Sequence, residues 1–137
     1  MAYWLLKSEP QSYGWYDLVR DGETEWDGIR NHAAAAHLRT VAVGDHALFY
    51  HSGADKAVVG IARVVRAARK DGDEGNWVSV AIAPVEPLAA PVTLAAMKRE
   101  PALAAMAMIR QSRLSVSPVT DAEWAVVLGL ATAQRSA

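Results

Sequence analysis

The sequence predicts an α+β domain with a mostly antiparallel, barrel-like sheet, and three observations lead there. Strand-like runs follow one another directly in the middle of the chain, at 47–51, 58–68 and 77–85, as they do in an antiparallel meander. Helical stretches stand at the ends and between strands, without the regular strand–helix alternation of a doubly wound parallel sheet. The 137 residues contain no repeat and no dividing linker, which fits one domain with room for a full core.

Residues 2–7 alternate aromatic and aliphatic side chains and form the first strand. Pro10 cannot donate to a ladder and closes it. Ser8 can cap the turn that follows, and Ser12 a short helix through Trp15, Tyr16, Leu18 and Val19, with Gly22 ending it. A polar loop then carries Trp26. Asn31 is placed to cap an alanine-rich helix over 32–41, and Gly44-Asp45 turns the chain. The run 47–51 pairs with 58–68, and 77–85 adds a third strand that Pro84, Pro87 and Pro91 are expected to end. Thr93 caps a helical turn to Arg99, and Pro101 breaks it and begins another through Met106 and Met108. A short last strand at 114–117 precedes Pro118. Thr120-Asp121-Ala122-Glu123 has capping-box spacing for a final helix through Leu130. The domain is thus expected to span 1–131, with 132–137 a frayed tail.

Composition narrows the function. Hydrophobic residues make up 52% of the chain, much of it alanine, and there is no cysteine. A disulfide framework and a thiolate metal site are therefore excluded. His32 and His37 lie five apart, off the spacing that shares a helix face, so no metal site is expected. No phosphate-cradling glycine loop occurs, and no cofactor is expected. The N-terminus runs straight into Tyr3-Trp4-Leu5-Leu6 with no leader pattern, and no apolar run approaches the ~20 residues of a membrane span. These readings lead to the expectation of a cytoplasmic protein with no membrane partner. Net charge is −1, with four basic against seven acidic residues in 1–52 and ten against eight in 53–137. Such a balance predicts weak non-specific affinity for nucleic acid, leaving recognition to a pocket.

The richest candidate stretch is Trp26-Asp27-Gly28-Ile29-Arg30-Asn31, which brings a large ring, an acid, a cation and an amide into one loop. A ring beside hydrogen-bonding groups suits a flat polar heterocycle, stacked on its face and read at its edge. The competing reading is a turn whose Trp26 plugs the core and whose Arg30 pairs with a nearby acid. Lys7-Ser8-Glu9 and Tyr50-His51-Ser52 supply further polar groups. A triad through His51 and Ser52 is disfavoured, because strand neighbours point to opposite faces.

These stretches resemble one family across nearly the whole chain. The order Tyr3-Trp4-Leu5-Leu6-Lys7-Ser8-Glu9-Pro10, Trp26-Asp27-Gly28-Ile29-Arg30-Asn31, Gly44-Asp45 and Phe49-Tyr50-His51-Ser52, then Val59-Gly60-Ile61-Ala62, Trp77, Arg113-Leu114-Ser115-Val116, Pro118-Val119 and Trp124 resembles the EVE domain family of the PUA-like fold group. The resemblance implies a pseudo-barrel of five to six strands with flanking helices. It also implies a non-catalytic reader of modified bases, chiefly modified cytosine in DNA and alternatively modified RNA, that takes the base by flipping. Carried over by position, the pocket is Lys7, Ser8, Glu9, Trp26, Asp27, Ile29, Asn31, Tyr50, His51 and Ser52. Arg30, Arg113, Leu114 and Ser115 support or edge it. In this expectation Trp26 stacks on the base with Tyr50 opposite, and the chain acts as a monomer. The alanine run 33–36 departs from the bulkier polar residues of many relatives, so the resemblance implies no nucleic-acid contact there. The alternatives are a small hydrolase using Lys7, Ser8, Glu9 and His51, and a binder of free nucleosides or small molecules.

Overall fold

A computed structural model describes residues 1–136. Six strands form one mixed sheet in the order β2-β5-β4-β3-β1-β6. The first strand, β1 (Tyr3–Ser8), lies parallel to β3 (His46–His51), with Tyr3 opposite His46 and Ser8 opposite His51. A parallel pair needs a long crossover, and here it contains α1 (Trp15–Asp21), β2 (Thr24–Trp26) and α2 (His32–Leu38). The other pairings are antiparallel. They join β3 to β4 (Ala57–Lys70), β4 to β5 (Val78–Thr93), β5 to β2, and β1 to β6 (Val116–Val119).

Side chains alternate across this sheet and build two cores. Trp4, Leu6, Ala47, Phe49, Ala62, Val64, Val80, Ile82 and Val116 join Trp26, Leu18 and Leu38 in the first, so all six strands feed it. Their neighbours Leu5, Leu48, Tyr50, Val58, Ile61 and Val92 point the other way. There they meet α3 (Leu94–Lys98), a 3-10 turn at Pro101–Leu103, α4 (Ala107–Arg110) and α5 (Asp121–Ser136). The period of two along β1 and β3 is what separates the two sets.

Several caps follow the sequence. Asn31 accepts from the Ala34 N–H at 2.9 Å, and Thr93 from the Ala96 N–H at 3.1 Å. Thr120 and Glu123 exchange both bonds of a capping box, at 2.9 and 3.1 Å.

Other expectations are corrected. The N-cap of α1 is Gly14 rather than Ser12, and its N–H donates to Asp17 at 2.7 Å. Trp26 is the last residue of an edge strand, not part of a loop. Pro84, Pro87 and Pro91 do not end β5. β2 covers β5 only at Val80–Ile82, so the later part of β5 has an unpaired side where a missing N–H breaks no ladder bond. Pro118 lies inside β6, which is also an edge. The final helix continues past Leu130 and through Thr132, whose hydroxyl donates to the Leu128 carbonyl at 3.2 Å. Helical structure thus covers most of the segment expected to fray; Ala137 lies outside the described residues.

Candidate functional site

A cavity of 510 Å³ opens where the end of β1 meets β2. Its lining includes six of the expected residues, Lys7, Ser8, Glu9, Trp26, Asp27 and Ile29, and four others, Ser12, Tyr13, Thr24 and Glu25. The exit of β1 is locked in place. Ser8 Oγ donates to the Tyr13 carbonyl at 2.5 Å, while the N–H groups of Ser12 and Tyr13 donate to the Glu9 carbonyl at 3.0 and 2.8 Å. Since its proton is taken, the Ser8 hydroxyl can offer a ligand only its lone pairs.

The wall formed by β2 is fixed by charge. Glu25 accepts from Arg66 and Ser79, and from Arg69 at 3.3 Å. Burial pushes its carboxyl up, but the hydrogen bonds from Ser79 and Arg66 and the two guanidinium charges outweigh that and hold it below the usual range. Glu9 and Asp27 are the exposed carboxylates of the lining.

Trp26 contributes an edge more than a face. It is 8% exposed and sits edge-on to Phe49 at 5.6 Å and 73°. Its buried indole N–H meets no acceptor among the described residues. Trp26 therefore plugs the first core as well as lining the cavity. Tyr13, a half-buried ring packed on the first core, is the other aromatic of the lining, and its hydroxyl donates to Asp21 at 2.8 Å.

The rest of the loop turns away from the cavity. Gly28 has φ +73°, a region that favours glycine, and its N–H donates to Asp71 at 2.9 Å. Arg30 pairs with the same carboxylate at 3.0 Å and lies 5.5 Å over the Trp77 ring, on which His32 also stacks at 4.8 Å. The Gly28 N–H first, and then Arg30, hold the Asp71 carboxyl below its ordinary value. Arg30 thus ties the loop to the β4–β5 connection.

The remaining expected residues separate by position. Tyr50 belongs to the second core and Trp26 to the first, so Tyr50 cannot oppose Trp26 across a base. With Ser52 it lines a second cavity of 350 Å³. Lys7 borders both cavities. Its ammonium donates to the Ser112 carbonyl at 2.7 Å and lies 5.7 Å over the Tyr50 ring, and burial lowers its pKa. Asn31, Arg113 and Leu114 line a separate shallow groove, and the Ser115 carbonyl accepts the Lys7 N–H at 3.0 Å. His51 is a positioning group. Its Nε2 accepts the Trp15 N–H at 3.0 Å, so Nδ1 carries the hydrogen and donates to Asp55 at 3.2 Å.

Ser12 and Tyr13 reach the cavity because the turn after β1 folds back through their N–H groups onto the Glu9 carbonyl, a tertiary detail with no local signal, whereas Thr24 and Glu25 belong to the strand at Thr24–Trp26, which an acidic, turn-like neighbourhood conceals. The signal of that strand was the β-branched Thr24 and aromatic Trp26 on either side of Glu25. Among the described residues no three His, Asp or Glu side chains converge as a metal site, and no helix is long and apolar enough to cross a membrane.

A family model described as "EVE domain" matches residues 2–130. The chain belongs to the EVE domain family. Thymocyte nuclear protein 1 of Rattus norvegicus is 29% identical, the alignment covering 98% of this chain and 75% of the rat protein. The solved structure of Rpa0253 from Rhodopseudomonas palustris superposes with TM-score 0.92 at 44% identity, covering 97% of this chain and 94% of that one. Human THYN1 in complex with DNA containing 5-methylcytosine superposes with TM-score 0.85 at 27% identity, covering 96% and 98%. The EVE fold is therefore this chain's fold, a six-stranded mixed sheet with flanking helices. The expected cytoplasmic location is overturned, because the curated EVE relatives from rat, human and mouse are nuclear proteins by name. That no described helix is long and apolar enough to cross a membrane does not distinguish cytoplasm from nucleus.

Proposed function

We propose that the first cavity receives a modified cytosine turned out of a DNA strand, and that the chain reads the base without reacting with it. The observation that carries this is the cavity's make-up. Exposed carboxylates at Glu9 and Asp27 and the ammonium of Lys7 surround the apolar edges of Trp26, Tyr13 and Ile29. A carboxylate accepts from the cytosine amino group, an ammonium donates to the ring carbonyl, and Ile29 suits a 5-methyl group. The human THYN1 complex with methylated DNA supports the ligand class. Extrusion of the base costs a few kcal/mol, which these contacts must offset.

Hydrolysis has less support. Both ring nitrogens of His51 are occupied, and the Ser8 proton is given to a backbone carbonyl, so His51 and Ser8 are not poised as base and nucleophile.

The test is a tryptophan-fluorescence titration at low salt. The ligands are short DNA and RNA strands carrying cytosine, 5-methylcytosine, 5-hydroxymethylcytosine or N6-methyladenine. Methylcytosine DNA should bind most tightly. Asp27→Asn should weaken it by about 1–3 kcal/mol, the worth of one good base-edge contact. Equal, weak binding to every strand would sink the proposal and favour free nucleosides.

A further inference from the structure

The second cavity differs in charge from the first, although Lys7 borders both. Glu9, Glu25 and Asp27 line the first, whereas the second has no carboxylate in its lining. Instead three lysines converge on it from distant parts of the chain: Lys7 on β1, Lys56 in the β3–β4 turn and Lys98 at the end of α3. Neither Lys56 nor Lys98 forms an ion pair among the described residues. The ammonium of Lys7 spends one hydrogen on the Ser112 carbonyl and keeps two.

Lys56 is held there at a conformational cost. Its φ is +44°, the one positive value at a non-glycine residue in the described chain, where a side chain is disfavoured. Its carbonyl accepts the Leu94 N–H at 2.7 Å, which clamps the turn against the start of α3. Leu94, Met108 and Ile109 supply an apolar floor, and charges beside such a surface act more strongly than in open water.

We propose that this second cavity is a phosphate site, taking a phosphate next to the base held in the first cavity. The proposal rests on the base-reading function above and extends it. A nucleotide joins a flat base to an anion, and here an acid-lined and a lysine-lined cavity meet at one shared lysine. Lysines bind phosphate as point charges. This also reconciles nucleic-acid binding with a net charge of −1, because the cations are gathered locally.

The test is the double variant Lys56→Gln/Lys98→Gln, checked for an unchanged thermal melt and titrated over a salt series. The probes are a single-stranded oligonucleotide containing 5-methylcytosine, its unmodified twin, 5-methyl-2′-deoxycytidine and the 5′-monophosphate of that nucleoside. Losing the charge that neutralises this one phosphate should flatten the dependence of log K on log salt by about 0.7 for single strands. Affinity for both oligonucleotides should fall about tenfold at low salt by the same mechanism, with the methyl preference and nucleoside binding unchanged. A fall shared by the monophosphate assigns the site to the nucleotide's own phosphate. A fall confined to the oligonucleotides assigns it to a neighbouring one. An unchanged salt slope, or an equal loss for the free nucleoside, overturns the phosphate site. If the slope flattens but no strand shows a methyl preference, the base reading fails while the phosphate site stands.

Discussion

Trp26 shows how one residue can serve packing and a site together. Its ring closes the first core against Phe49 while its edge lines the cavity. Trp26→Ala should therefore cost about 3–5 kcal/mol of stability, and loss of binding in that variant says nothing about recognition. Urea unfolding checks this, and an unfolding midpoint like that of the parent would show the ring to be a free platform. Asp45 has a purely structural task. Buried, it accepts from the Trp4 indole at 2.9 Å and from the N–H groups of Ala42 and Ala2 at 2.9 and 3.1 Å. Burial raises its carboxyl, but these donors and the N-terminal charge together hold it below the ordinary value. The unfolded chain, with a carboxyl near ~3.9, then takes up the proton first as pH falls. The stabilisation is present above that value and is lost as pH drops through the folded-state pKa. Asp45→Ala should lose about 2 kcal/mol at pH 7, mainly by stranding the indole N–H. Its deficit against the parent should shrink in melts recorded below about pH 4.

Elements are positioned by a few close approaches. α1 lies against β4 because Gly60 carries no side chain: a Cβ there would come within 2.6 Å of three atoms of the Trp15 ring. Gly60→Ala should destabilise by about 1–3 kcal/mol, as overpacking does, and a thermal melt reads the effect. Trp15 is also fixed through its N–H on His51 Nε2, so displacing its ring strains the start of α1 beside the first cavity. The caps and the alternation in β1 and β3 were legible because each is decided within a few residues. The persistence of β5 through three prolines was not, since it depends on how little of that strand β2 covers. The same limit applied at the site. Trp26, Asp27 and Lys7-Ser8-Glu9 were recognisable as a group, whereas the diversion of Arg30 to Asp71 required knowing that the β4–β5 connection folds back onto the loop. Tyr50 and His51 were adjacent to the right residues in sequence, but one faces the second core and the other caps the approach to α1.

At the scale of the molecule, two cores share one sheet, and that has a thermodynamic consequence. β1, β3 and β4 each bury alternate side chains in both: Leu6 and Leu5, Phe49 and Leu48, Ala62 and Ile61. Neither core can open without losing strands that form a wall of the other, so the two should unfold as one cooperative unit. Trp4, Trp15 and Trp26 report on the first core and Trp124 on the second, which makes the coupling measurable. In a Trp124→Phe background, Met97→Ala removes packing only from the second core, at a cost of about 2–5 kcal/mol. The fluorescence transition, then reporting chiefly on the first core, should move to lower urea by that full amount and coincide with the far-ultraviolet dichroism transition. Separate transitions would mean that the face carrying α3 and α5, and with it the lysine-lined cavity, opens on its own while the base cavity stays closed.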